Sequence, residues 1–220
     1  NGFWKDANTL EKAQEAKYKA ICEKLGLQDG MTLLDVGCGW GTFIQYAATK
    51  YHLKRAVGVT VSREQQEFAE DRCQGFPVEI RLQDYRDLPQ GELFDRVVSI
   101  EAFEHIGLKN YRQFMSVIHR CLQKDGRFFL QTTGKDTRPR HIDPWLHAYI
   151  FPNGHLPWIR HIGEAGEELF TLEEWRNDEK SYAKTLQAWA SNLKKDRDAL
   201  KEKYGERTVR MLQYYLSFCP

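Results

Sequence analysis

Apolar positions along the 220-residue chain follow two periods in alternation. Short runs at 32–36 (T-L-L-D-V), 56–61 (A-V-G-V-T-V), 94–100 (F-D-R-V-V-S-I) and 127–132 (R-F-F-L-Q-T), with an alternating run at 78–82, read as strands. Helical periods fill the gaps at 42–50, from 62 to about 75, and at 111–122. A capping-box pattern, Asn8-Thr9-Leu10-Glu11, opens an earlier helix with Asn8 as cap and Glu11 reaching back. That helix should stop at Gly26 and bury Ala13, Ala16, Ala20, Ile21 and Leu25. Ser62-x-x-Gln65 repeats the capping pattern. Strictly alternating strands and helices predict an α/β fold, a doubly wound and mostly parallel sheet with right-handed crossovers, whose ligand site lies at the carboxyl ends of the strands.

Past Gly134 the pattern changes. Residues 134–144 resemble a linker, and 144–158 are aromatic and broken by proline. From Ser181 a helix is predicted with Leu186, Trp189, Leu193 and Leu200 on one stripe, and 207–218 form a last apolar helix. The expectation is one domain over 1–220: a cofactor-binding core at 1–134, then a helical and aromatic insertion, 135–220, that covers the acceptor side.

Composition narrows the partners. A formal net charge of +1 gives no global electrostatic ground for nucleic acid. The five cysteines, Cys22, Cys38, Cys73, Cys121 and Cys219, are scattered without a C-x-x-C pair, which suits a reduced, cytoplasmic compartment. No run of about 18 apolar residues is present, so a lipid substrate would be met from outside the bilayer, in peripheral contact with the inner membrane face. The chain opens at Asn1 without methionine and stops at Pro220 just after a helical segment, so a fragment is expected.

Residues 31–43, M-T-L-L-D-V-G-C-G-W-G-T-F, organise the rest. A buried strand ends in a turn holding Gly37, Gly39 and Gly41, and a helix follows. Glycine permits the backbone angles of such a turn and lets a ligand approach the helix start. The dinucleotide fingerprint requires G-x-G-x-x-G and a later acidic residue, whereas here the turn reads G-C-G-W-G and Thr60 ends the next strand. Gly37 to Gly41, Thr60, Gln83 to Tyr85 and Glu101 to His105 all fall just past a strand's carboxyl end, which predicts one ligand cleft.

The turn resembles motif I of the class I methyltransferases, Rossmann-like enzymes that use S-adenosylmethionine. Over nearly the whole chain the residues resemble the cyclopropane fatty acid synthases, which include the mycolic acid cyclopropane synthases. The matching stretches are L-L-D-V-G-C-G-W-G (33–41), G-V-T-V-S-R-E-Q-Q (58–66), L-Q-D-Y-R-D-L (82–88), F-D-R-V-V-S-I-E-A-F-E-H-I-G (94–107), D-P-W-L-H-A-Y-I-F-P-N-G-H-L-P (143–157) and Y-A-K-T-L-Q-A-W (182–189). The resemblance implies methyl transfer to a cis double bond of an unsaturated phospholipid acyl chain, followed by ring closure. It assigns Gly37, Gly39 and Trp40 to the methionine half of the cofactor, Thr60 and Gln65 to the ribose, and Asp84 and Tyr85 to the adenine pocket. Asp35, Gln83 and Ile100 complete the expected cofactor-binding set. Tyr85 also suits ordinary core packing.

For the reaction centre the resemblance implies a bound bicarbonate as proton acceptor, held by Cys, Glu, His, a backbone position and Tyr. Glu104 and Tyr182 match two of these, and His105 belongs to the same F-E-H-I-G motif. Three positions depart: Asn1 stands where the family has Cys, and Gln131 and Thr133 where it has His and Ile. Gln131 can hydrogen-bond an anion but cannot carry a positive charge, which weighs against bicarbonate. Glu101 departs as well, standing where the synthases usually carry glycine, and S-I-E-x-F-E-H resembles the coclaurine N-methyltransferases. A small amine is therefore the alternative acceptor. Trp145, Tyr149, Phe151 and Trp158 could line an acyl tunnel or form a packed cover. His141, His147, His155 and His161 lack metal spacing, and no metal is expected.

Overall fold

The computed structural model describes residues 1–135, 143–152 and 154–218. His141, most of the linker-like stretch, Asn153 and Cys219 lie outside the described residues. After α1 (Leu10–Leu25), the chain alternates β1 (Thr32–Val36), α2 (Thr42–Lys50), β2 (Arg55–Thr60), α3 (Arg63–Arg72) and β3 (Val78–Leu82). It continues through β4 (Phe94–Ile100), α4 (Tyr111–Cys121) and β5 (Leu122–Gln131). The sheet order is β3-β2-β1-β4-β5, parallel throughout, with the order reversing between β1 and β4. Crevices at such reversals, beyond the carboxyl ends of the strands, are where doubly wound sheets bind ligands.

Strands buried on both faces need near-continuous apolar sequence. β1 and β2 supply it, with Leu33, Leu34, Ala56 and Val57 fully buried. Helix α4 covers the other half of the sheet through Tyr111, Phe114, Met115 and Ile118, at the three- and four-residue spacing of one helical face. The Phe103 ring stacks on Tyr111, with centroids 4.0 Å apart, and fixes the loop after β4 to this core.

Some boundaries differ from expectation. Thr9, not Asn8, caps α1: its hydroxyl accepts from the Lys12 amide at 3.3 Å, which makes Glu11 the second helical residue and takes it out of box geometry. Ser62 does cap α3, accepting from the Gln65 amide, but the Gln65 side chain turns to Thr60 instead. β5 begins five residues before the expected Arg127, because Leu122 already pairs with Phe94. A register shift follows, and Lys124-Asp125-Gly126 fall in that irregularity rather than ahead of the strand. The helix α6 (Ile159–Gly166) was not anticipated, since its two glycines obscure the period.

By its contacts the chain forms two compact units. The sheet and its helices, Ile21–Ile142 with Asn153–Thr171, make one. Asn1–Ala20, Asp143–Pro152 and Leu172–Pro220 make the other, which contains α5 (Pro144–Tyr149), α7 (Glu179–Lys195), α8 (Arg197–Tyr204) and α9 (Glu206–Phe218). The expected continuous stripe is interrupted, because the helix stops at Asp196 and Leu200 lies on the separate α8. Within this unit Trp145 meets Tyr214 edge-on and Phe151 meets Tyr215, whereas Trp158 sits in the sheet unit beside His161. The four aromatic residues of that segment are thus shared between the units.

Thr185 ties this second unit together. Its buried hydroxyl accepts from the Gly2 amide at 3.1 Å and the Trp4 indole at 2.9 Å, and donates to the Ser181 carbonyl at 2.8 Å. Thr185→Val keeps the shape but strands two donors, so it should cost about 2 kcal/mol, read as a lower urea midpoint at unchanged m-value. Thr185→Ser should lose less than half of that.

Candidate functional site

The site begins with the reversal after β1. Gly37 and Cys38 both donate their amides to the Val59 carbonyl at 3.0 Å, which turns the chain back over the sheet. Gly37 sits at φ +84°, and a β-carbon there would lie 2.5 Å from the Ala102 β-carbon, so no other residue fits. Gly39, at φ +55°, differs: a β-carbon on it would meet nothing within 4 Å. Its backbone faces open space that a ligand can enter. No side chain caps the first turn of α2, so the helix start is available to polar groups of a ligand. Trp40 is half exposed and leans edge-on against Phe68.

Asp35 lies beneath this turn, 2% exposed. Burial pushes its carboxyl up to about 7, and Oδ1 has no hydrogen-bond partner. An orphaned buried acceptor beside bare backbone and an uncapped helix start fits a cofactor that brings a hydrogen-bond donor and positive charge.

Beyond β2, the buried Thr60 hydroxyl donates to Gln65 Oε1 at 2.7 Å and accepts from the Ser62 amide at 3.2 Å. The two residues expected at the ribose are thus bonded to each other. Beyond β3, Gln83 donates its side-chain amide to the Asp87 carbonyl. Both oxygens of Asp84 bind Arg86, which holds its carboxyl below the usual range. The Tyr85 ring packs edge-on against Phe114, so it does belong to the core, while its buried hydroxyl has no partner.

The loop after β4 and the end of β5 meet through two carboxylates. Ile100 pairs in register with Gln131. Glu101 donates its amide to the Gln131 carbonyl at 2.8 Å, and Gln131 Nε2 donates to Glu101 Oε1 at 3.3 Å. Glu101 also sits at φ +55°, a left-handed conformation costing a non-glycine residue about 1 kcal/mol. Glu104 is buried and accepts from the Thr132 hydroxyl at 2.8 Å and the Thr133 amide at 3.3 Å. Burial raises its carboxyl against the pull of those donors and of the nearby His105, itself exposed. Three consecutive residues of β5 and its exit therefore grip both carboxylates.

Sequence reasoning missed Thr132, Tyr111 and His155. The burial of Tyr111 and the charge of Glu104 raise the Tyr111 phenol, and its hydroxyl donates to the His155 carbonyl at 3.1 Å. The His155 amide in turn donates to the Glu104 carbonyl at 2.8 Å. A tyrosine on a helix's apolar face, 44 residues from that carbonyl, offers no local signal. Tyr182 belongs to the other unit, where its hydroxyl lies 3.0 Å from that of Tyr215. Asn1 is in that unit as well, its Oδ1 3.4 Å from the Thr185 hydroxyl.

Asp35 generates a prediction for the ligand-free protein. Its carboxyl is raised from 3.8 to about 7, so its stabilising contribution is complete below about pH 3.8 and is lost as pH rises through 7. Relative to Asp35→Asn, the wild type should therefore lose roughly 2–3 kcal/mol of stability between pH 5 and pH 8, read by urea denaturation at both values. A constant difference would mean that Asp35 does not titrate in this window.

Comparison with known proteins agrees with this geometry. The family model described as mycolic acid cyclopropane synthetase matches residues 2–220. Cyclopropane-fatty-acyl-phospholipid synthase of Escherichia coli (strain K12) is 47% identical over 217 residues, covering 99% of this chain and 56% of that protein. The chain thus spans little more than half of that relative. Among solved structures, mycolic acid cyclopropane synthase CmaA1 complexed with SAH and CTAB superposes with a TM-score of 0.90 at 33% identity, covering 99% of this chain and 82% of that one. Coclaurine N-methyltransferase bound to N-methylheliamine and SAH gives 0.85 at 29%, covering 99% and 70%. A match from residue 2 to residue 220, on a shared fold, leaves one conclusion: the chain belongs to the mycolic acid cyclopropane synthetase family.

Proposed function

We propose that this chain carries out S-adenosylmethionine-dependent methyl(ene) transfer to the cis double bond of an unsaturated phospholipid acyl chain, as a cyclopropane fatty acyl phospholipid synthase. The observation that carries the reading is the 47% identity to the Escherichia coli enzyme along 99% of the chain. The one-domain organisation over 1–220 and a cytoplasmic place at the inner membrane face are part of the same proposal. No described helix is long and apolar enough to cross a membrane, so the lipid would be met at the bilayer surface.

The cofactor, when bound, supplies a methyl group on a sulfonium centre. Toward it, Gly37, Gly39 and Trp40 would form the cradle, and Asp35 would offer its orphaned oxygen to a cationic donor. Bonded to Thr60 through its oxygen, Gln65 would turn its Nε2 toward a ribose hydroxyl. Gln83, Asp84 and Tyr85 would frame the base, with the unpartnered Tyr85 hydroxyl beside them, and Ile100 would close the strand end. Glu104 is assigned to the reaction centre, with His105 and Gln131 sharing in it. Its buried carboxyl, held by Thr132 and Thr133, has one fixed orientation, and fixed positioning in a dry site is what this reaction needs.

A second reading, methylation of a small amine without ring closure, is favoured by Glu101. Carboxylates at 101 and 104 can bind an ammonium group and accept its proton.

Methyl-labelled S-adenosylmethionine, offered with unsaturated phospholipid vesicles and separately with a panel of small amines, tests both. Label in the lipid, with one methylene gained and the double bond lost, is the expected result. Label confined to the amines would overturn the lipid reading. Glu104→Gln should lower transfer about 100-fold or more without weakening cofactor binding, and full activity in that variant would remove Glu104 from the reaction centre.

A further inference from the structure

We propose that Tyr111 is a positioning residue for this reaction: it anchors residues 155–158 as a strap that holds the Glu104 backbone in place while the exit of β5 holds the Glu104 carboxyl. The inference rests on the assignment of Glu104 to the reaction centre made above.

Residues 154–157 form no helix or strand, so the groups that pair with their backbone set their place. The His155 amide donates to the Glu104 carbonyl at 2.8 Å, and the Pro157 carbonyl accepts from the Lys135 amide at 3.0 Å. Trp158 then bridges Lys135 in parallel. The approach is close, since a β-carbon on Gly134 would lie 2.9 Å from the Pro157 oxygen. Together these bonds close a circuit. From the Glu104 carboxyl it runs through the Thr133 amide and along the chain to Lys135, across to Pro157, back to His155 and into the Glu104 carbonyl. Glu104 is thus held at its main chain and at its carboxyl, and the two holders are bonded to each other. Every member of the circuit belongs to the sheet unit.

Tyr111 roots this circuit in the core. Its hydroxyl donates to the His155 carbonyl at 3.1 Å, so His155 is gripped at its amide and at its carbonyl. The ring is 2% exposed and stacks on Phe103, the residue before Glu104. One side chain of α4 therefore fixes the strap through its hydroxyl and the Glu104 loop through its ring. Burial and the Glu104 charge both raise the phenol, which keeps the hydroxyl protonated, and so a donor, throughout the neutral range. Substitution separates the two contributions, because phenylalanine keeps the ring and loses the donor.

The test compares wild type, Tyr111→Phe, Thr132→Val and the double variant in the full-length protein. Labelled transfer is measured on whichever acceptor wild type labels, with cofactor affinity and amide hydrogen exchange read alongside. In Tyr111→Phe, kcat should fall about 10-fold while KM and cofactor affinity stay within about twofold, since a slip well below 1 Å at the reacting group suffices for such a loss. Amide exchange should quicken at His155 and Lys135, while β1 and β2 keep their protection. Thr132→Val frees the same carboxyl from its other side, so the double variant should lose less than the product of the two single losses. Full kcat in Tyr111→Phe, a loss confined to KM, losses that multiply, or unchanged exchange at His155 would each overturn the inference. If wild type labels neither lipid nor amine, the reaction-centre reading fails and this role fails with it, while exchange at His155 still decides whether Tyr111 holds the strap.

Discussion

No β-carbon fits between Gly37 and Ala102, and the site depends on that contact. It brings the loop after β4 against the reversal after β1, so the two central strands of the sheet deliver their carboxyl ends to one place. The Val59 carbonyl, accepting two successive amides, supplies the third strand's share. The shape of the site is therefore set by backbone approach, which tolerates no enlargement. Its polar groups are added by side chains that the backbone has already aimed.

Those side chains divide by function as well as by position. Around the turn, Asp35, Thr60 and Gln65 are satisfied by one another or left with a single orphaned atom, an arrangement suited to a ligand rich in donors. Beyond β4 and β5 the groups are carboxylates gripped by neutral amides and hydroxyls. The first region leaves acceptors open, and the second holds its carboxyl groups in fixed orientations. Both follow from the expense of burying an acceptor without a donor.

Most of the sheet was legible because its signals are local. Four of the five strands began within one residue of expectation, and α2 matched at both ends, since a short apolar run before glycine, or a serine before a helical period, needs no distant partner. The glycine turn was legible for the same reason. Distant contacts were not. The grip of Gln131 on Glu101 spans 30 residues, and that of Thr132 on Glu104 spans 28. In sequence Gln131 appeared only as a departure from a family pattern. Its pairing with Glu101, the other departure, becomes visible once β4 and β5 lie side by side. The stop at Asp196 was hidden too, because Leu200 continues the apolar spacing across it.

The tie made by Thr185 bears on how the chain folds as it is made. The Gly2 amide and the hydroxyl it binds are 183 residues apart. At a synthesis rate of about 5–20 residues per second, the segment around Gly2 waits roughly 10–40 seconds for its partner to be translated. Residues 21–135, which hold all five strands, are complete well before then. The five strands can thus pair while the segment around Gly2 still waits for Thr185.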